Sequence, residues 1–284
     1  TGWTFRQPLS LYPYGHHHAD FEFISDDHDY DEKEFLGQVG NFDGEDIIDI
    51  IVKEEAAANF LSRHLYNFFV EDEVQVPSWE TVDPKDPQAI KELSTAYMES
   101  EGNMRNVLST LFNSDFFKNS MNLPKVKSPT ELIVGVIKQT GEFNSPTPGI
   151  HEFAVTTLNG SAFEGPLAIM GQRLMNPPTV EGWHTGSEWI DSGTLSERIG
   201  FVEKQFADPL KPGVSEMVSR IGSLNDNPAE LVDRCLDLLG AVNVREETYK
   251  SLKTYAEELR ELETSAGVHN LIQMTASTVD YQFA

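Results

Sequence analysis

The sequence predicts a mainly α fold, an irregular multi-helix domain with an extended, loop-rich acidic N-terminal arm. Three observations carry that expectation. From Asp43 onward, apolar residues recur at three- and four-residue spacing, the period of a helix with one buried face. Capping residues stand directly before prolines at Asp86-Pro87, Ser128-Pro129-Thr130-Glu131 and Asn227-Pro228-Ala229-Glu230. A proline in the first turn forfeits only an N–H that a helix start leaves unpaired anyway. Third, the apolar run Leu167, Ile169, Met170, Leu174 meets Pro177-Pro178, which remove donors and fix φ, so the stretch reads as helix, rigid elbow, helix.

The totals limit the function classes. At 284 residues the chain can bury a sizeable core without disulfides. Its single cysteine, Cys235, has no internal partner and lies among Leu231, Leu236, Leu238 and Leu239, so it reads as a small buried hydrophobe. The 46 acidic residues against 21 basic ones leave a net charge of −25, which repels a phosphate backbone and argues against nucleic acid as a partner. The same charge suits solvation in salt, a bound cation or a basic partner. No apolar run approaches the roughly 20 residues that span a bilayer, and no basic-then-apolar leader opens the chain.

Residues 1–42 form the arm, with little helical periodicity and a run of three histidines at 16–18. Within it, Asp27, His28, Asp29, Asp31 and Glu32 form the candidate metal site, because alternate aspartates can converge on a hard cation such as calcium. As an EF-hand loop the segment fails: Glu32 stands where glycine is needed and Gln38 where glutamate is. A solvated acidic loop is the plainer reading.

Residues 43–206 read as a helical core. Asp43 caps a helix with Ile47, Ile48, Ile51 and Val52 on one face. A second helix carries Phe60, Leu61, Leu65, Phe68 and Phe69, with Arg63 on another side of the cylinder. A loop spans 77–87, and the next helix turns Ile90, Leu93, Tyr97 and Met98 inward. Asn103 opens another, with Val107, Leu108, Leu111 and Phe112 apolar. Ser128-Pro129-Thr130-Glu131 is the clearest start in the chain, a capping box whose helix Gly141 stops. Lys125 and Lys127 make a small basic island there, suited to a salt bridge with the acidic arm. A loop over 142–149 and a short helix over 151–161 lead to the elbow. Beyond it, a helix starting near Ser187 sets Trp189, Ile190, Leu195, Ile199, Val202 and Phe206 on one face. Residues 207–284 supply further helices of the same domain, around Leu231, Cys235 and Leu238, then Tyr249 to Leu262, then Val268 to Met274.

At the elbow, Trp183, His184 and Trp189 form the candidate ligand pocket, with Glu188 and Asp191 beside them. Aromatic rings near an imidazole and a carboxylate suit a sugar or a small polar ligand. A packed helix corner, needing no ligand, accounts for the same residues. No nucleophile elbow, phosphate-cradling glycine loop, zinc-protease motif or dinucleotide fingerprint is present, so no catalytic residue is assigned.

Three stretches resemble a bacterial family known as domain of unknown function 1800. They are His28-Asp29-Tyr30-Asp31-Glu32-Lys33-Glu34-Phe35-Leu36-Gly37 with the helices that follow, Lys125 to Leu132, and Met170-Gly171-Gln172 through Pro177-Pro178, Gly182-Trp183 and Trp189-Ile190. Thr1-Gly2-Trp3-Thr4 is a further family-like element. It lies well inside that family's domain, so the resemblance implies a C-terminal part whose upstream helices and export signal lie outside this sequence. It also implies a mainly helical protein, extracytoplasmic, acting with a protein partner such as a member of the neighbouring domain of unknown function 1501 family. Glu55-Ala56-Ala57 stands where relatives carry a His-Pro break, which implies that the two helices run on as one. Three functions stay open: a non-enzymatic assembly or binding component, a metal-dependent hydrolase joining His28, Asp29 and Glu32 to Trp183 and His184, and a calcium-stabilised structural domain.

Overall fold

A computed structural model describes residues 1–6, 20–120, 125–141, 161–240, 242–261 and 267–283, without the side chains of 161–164. The histidines at 16–18, the loop over 142–149 and nearly all of the expected helix over 151–161 lie outside the described residues. The chain is mainly α, with twelve α-helices and two small sheets among the described residues. It divides into two compact units, one of Thr1–Phe69 and Asp86–Lys118, the other of Val70–Lys85 and Asn119–Ala284.

The first unit opens with the arm, whose described residues form two short antiparallel pairs. Strand β1 (Trp3–Arg6) pairs antiparallel with β2 (Asp20–Phe23), and β3 (Lys33–Phe35) pairs with β4 (Gln38–Gly40). The β3–β4 turn is Leu36-Gly37, both at positive φ (48° and 77°), the two-residue geometry that matches strand twist. Helix α1 (Gly44–Ile51) starts on a reciprocal capping box between Asp43 and Asp46.

Two expectations fail in the next segment. The chain does not run on as one helix: α1 stops at Ile51 and α2 (Glu55–Phe69) begins after a turn. The Tyr97 hydroxyl donates to the Val52 carbonyl (3.1 Å), and Lys53 and Glu54 bond back only three residues, to Ile50 and Ile51. That carbonyl is therefore turned toward a side chain from another helix. The buried faces also differ from those expected. In α1 it is Ile50 that is buried while Ile48, Ile51 and Val52 are exposed, and in α2 the inward stripe is Ala58, Ser62, Arg63 and Tyr66, leaving Phe60, Leu61 and Phe68 at the surface. Helices α3 (Pro87–Glu99), α4 (Met104–Asn113) and α5 (Asp115–Lys118) complete the unit around Ala58, Leu93, Tyr97, Val107 and Leu111.

The second unit contains α6 (Pro129–Thr140), α7 (Ser161–Ile169), α8 (Ser192–Phe206), α9 (Pro212–Ile221), α10 (Pro228–Leu238), α11 (Glu246–Glu261) and α12 (Val268–Ala276). Val136 from α6, Val202 and Phe206 from α8, Val214 from α9, Cys235 from α10, Leu252 from α11 and Ile272 from α12 lie in one core. The caps expected at Ser128, Asn227 and Gly141 are all present. Helix α9 reaches α6 closely enough that a Cβ on Gly213 would lie 1.9 Å from the Gln139 carbonyl oxygen. A C-terminal strap then crosses this core: Phe283 bridges to Val126, the Lys127 N–H donates to the Gln282 carbonyl (2.9 Å), and the Tyr281 hydroxyl donates to Gln139 Oε1 (2.8 Å). No helix of the described residues is long and apolar enough to cross a membrane.

Candidate functional site

The elbow is built differently from the sequence expectation at both ends. Helix α7 ends at Ile169, well before the prolines, and Gly171 (φ 94°) closes it, with Gln172 N–H donating to Leu167 and Gly171 N–H to Ala168, the paired bonds of a glycine-terminated helix. Helix α8 starts at Ser192 and not near Ser187; residues Gly186–Trp189 form a separate 3₁₀ turn. Asp191 sets the new start, its Oδ1 accepting from Gly193 (2.7 Å) and Thr194 (2.9 Å). Those two backbone bonds hold the Asp191 carboxyl below the usual range.

The segment between is anchored on both sides. Gln172 Oε1 accepts from the Thr130 N–H (2.8 Å) and hydroxyl (2.7 Å) at the start of α6. At the other end, Gln75 Nε2 donates to the Thr185 carbonyl (2.9 Å). Gly186, at φ 65°, lies against Asp72, whose carboxylate accepts from Val126 N–H (2.7 Å) and pairs with Lys125 (3.4 Å). Midway, Thr179 and Gly182 form a bridge that the Thr179 hydroxyl reinforces (3.0 Å). With these anchors in place the loop nevertheless holds Met175 at 95% and Val180 at 104% exposure, Met175 in the left-handed region at φ 60°.

The five pocket residues divide by role. Trp189 is buried, with its ring over Gly171, and Asp191 is committed to its cap. Trp183 is half-buried, and its indole N–H is shielded from solvent without an acceptor among the described residues. His184 Nδ1 is hydrogen-bonded to Glu188 Oε2, both side chains about half exposed. His184 and Glu188 are therefore the groups of this set that the elbow offers outward.

In the arm, Asp27, His28, Asp29, Asp31 and Glu32 do not gather round one point. No group of three His, Cys, Asp or Glu side chains is placed to hold a metal among the described residues. His28 is buried, donating from Nδ1 to the Thr1 carbonyl (2.8 Å) and packing edge-on against Tyr30. The Lys33 ammonium donates to the carbonyls of Asp29 and Asp31, while Asp29 Oδ1 accepts from the Asp31 N–H. Gly2 (φ 74°) completes this clasp; a Cβ there would lie 2.7 Å from the Ile24 carbonyl oxygen and 3.0 Å from His28.

A third cluster escaped the sequence reading. Arg198 is fully buried in α8, donating from Nε to Gln282 Oε1 (2.8 Å) and from Nη2 to the Lys127 carbonyl. Lys127 donates from Nζ to the Tyr281 carbonyl (2.7 Å) and lies over the Tyr281 ring. Burial first, then the charge of Arg198, lowers the Lys127 ammonium to about 8 against an opposing pull from Glu131. Burial likewise lowers Arg198, to about 10. The signal available in sequence was register, since Arg198 stands four residues before Val202 and eight before Phe206, on the stripe that α8 buries.

Searches of curated proteins and of solved structures find no match. The model of the family described as "Protein of unknown function (DUF1800)" matches residues 1–283, essentially the whole chain. This mainly helical chain, with the glycine clasp of its arm and the tryptophan elbow, therefore belongs to the DUF1800 family.

Proposed function

We propose that this chain is a non-enzymatic binding component that captures a protein partner on the elbow loop between Gln172 and Trp189, acting outside the cytoplasm. Its chief support is the full exposure of Met175 and Val180 on a backbone pinned at both ends. Apolar side chains held in water on a rigid loop gain on entering a partner's pockets, and little ordering entropy opposes them. The exposed Glu188, on the same loop, adds a polar group open to a partner. The net charge of −25 favours a partner with a basic rim.

The partner to test is the domain of unknown function 1501 protein that the family resemblance names. The chain and that protein are co-expressed and passed over a sizing column. Co-migration is expected for the wild type and lost in the double variant Met175→Glu, Val180→Glu, with an unchanged circular-dichroism melt. Separate elution of the wild type, or co-migration that survives both substitutions, overturns the reading.

A hydrolase remains the second reading, on one observation. A His184–Glu188 pair resembles a general base with its orienting carboxylate. Hydrolysis of model esters or glycosides that His184→Ala abolishes would favour it over the binding role.

A further inference from the structure

The arm and α1 present an exposed apolar surface. Cross-strand partners in the β1–β2 ribbon are Trp3 with Phe23 and Phe5 with Phe21, so all four rings lie on one face of it. All four are exposed, Phe5 at 58% and Phe21 at 66%. The face continues onto α1. A Cβ on Gly44 would lie 2.3 Å from the Trp3 ring, so that ring covers the side of α1 toward which position 44 projects. Four and seven residues on, Ile48 and Ile51 project to the same side and are exposed, whereas Ile50, on the opposite side, is buried. Rings and isoleucines therefore make one strip, whose helical part alone is roughly 10 Å long. The strip is preformed: the Ile24 N–H donates to the Gly2 carbonyl (2.9 Å), and Trp3 meets Phe21 edge-to-face with ring centroids 5.4 Å apart.

The charge around the strip selects its occupant. Residues 1–52 hold twelve acids against two bases, Arg6 and Lys33. Asp20, Asp26, Asp27, Glu45 and Asp49 are exposed within that segment. A second copy of the chain would bring the same acids up against them, and an anionic bilayer surface is repelled likewise. A glycan stacks on ring faces held open in one plane, but Trp3 and Phe21 stand at 87° and isoleucine has no ring. What fits is a segment with an apolar stripe for the rings and isoleucines and with lysine or arginine along its edges. Those cations gain from the acids and from the ring faces together. An amphipathic helix arranges its side chains in this way.

We propose that the aromatic face of β1–β2 and the exposed face of α1 together dock a basic amphipathic helix of a partner protein. This surface belongs to the first unit and the elbow loop to the second, so it is independent of the function proposed above.

The test uses two fluorescein-labelled helical peptides of about 18 residues with the same leucine stripe, one with lysine and one with glutamate on its polar face. Anisotropy at physiological salt is expected to show saturable binding of the lysine peptide and none of the glutamate peptide. The double variants Phe5→Ser, Phe21→Ser and Ile48→Ser, Ile51→Ser are each expected to weaken binding about tenfold or more. Leu210→Ser, at an exposed apolar residue of the second unit, is expected to leave it unchanged. Hydrogen exchange should show new protection in β1, β2 and α1. Circular-dichroism melts check that each double variant stays folded, and if one melts early the other decides. Equal binding of the glutamate peptide, binding that a folded double variant does not weaken, or protection placed elsewhere would overturn the proposal. So would dimerisation of the wild type in ultracentrifugation, or its binding to phosphatidylcholine vesicles, if Phe5→Ser, Phe21→Ser abolished it, because the face would then have a different occupant.

Discussion

Lys127 and Cys235 show how one buried group departs from what its type suggests. Burial pushes the Cys235 thiol up to about 12, so this cysteine is a packing residue among leucines, as the sequence indicates. Lys127 reads in sequence as half of a basic island with Lys125, suited to a salt bridge with the acidic arm, but it folds under the strap with its ammonium lowered to about 8. An unfolded lysine holds its proton to about pH 10.4. Between those values the unfolded chain binds the extra proton, so this residue's contribution to stability grows as pH rises. Wild type and Lys127→Met, compared by urea denaturation from pH 7 to pH 10, are expected to differ by a gap that moves in favour of the wild type with increasing pH. A gap that stays constant would mean that Lys127 titrates normally. His28 illustrates the opposite lesson. Its position among acids suggested a ligand, whereas the fold uses it as the buried pin between Thr1 and Tyr30.

At the scale of elements, starts and stops were the most legible features. Ser128, Asn227 and Asp43 cap where expected because each motif satisfies its own backbone within four residues. Boundaries that depended on a distant partner were not legible. The break after α1 involves the hydroxyl of Tyr97, and the stop of α7 at Gly171 accompanies the packing of Trp189 over that glycine. The approach of α9 to α6 has the same character, since only a hydrogen atom fits between Gly213 and the Gln139 carbonyl. Gly213→Ala is expected to cost about 1–3 kcal/mol or more through backbone displacement, although alanine is the better helix former. Chemical denaturation checks it, and a stabilised variant would show that α9 can shift freely.

Across the whole molecule, the C-terminal strap joins residues far apart in sequence, tying Phe283, Gln282 and Tyr281 to Val126, Arg198 and Gln139. Tyr281 is at 3% exposure, so Tyr281→Ala is expected to cost about 3–5 kcal/mol, as other buried aromatic truncations do. Hydrogen exchange should place the lost protection in α6, α8 and the strap; loss confined to the strap itself would show that it lies on the core without supporting it. By itself the sequence determined that the chain is mainly helical, where the helices with a clear cap begin, and that Trp183 to Trp189 is an unusual corner, because periods, caps and prolines act over a few residues. Only the tertiary structure decided which way α1 and α2 turn their apolar faces. These helices carry more apolar residues than one face can bury, so the phase is chosen by the neighbours against which they pack. The burial of Arg198 was decided there too, since the Gln282 side chain and the Lys127 carbonyl that hold it come from 84 residues after and 71 residues before it in the chain.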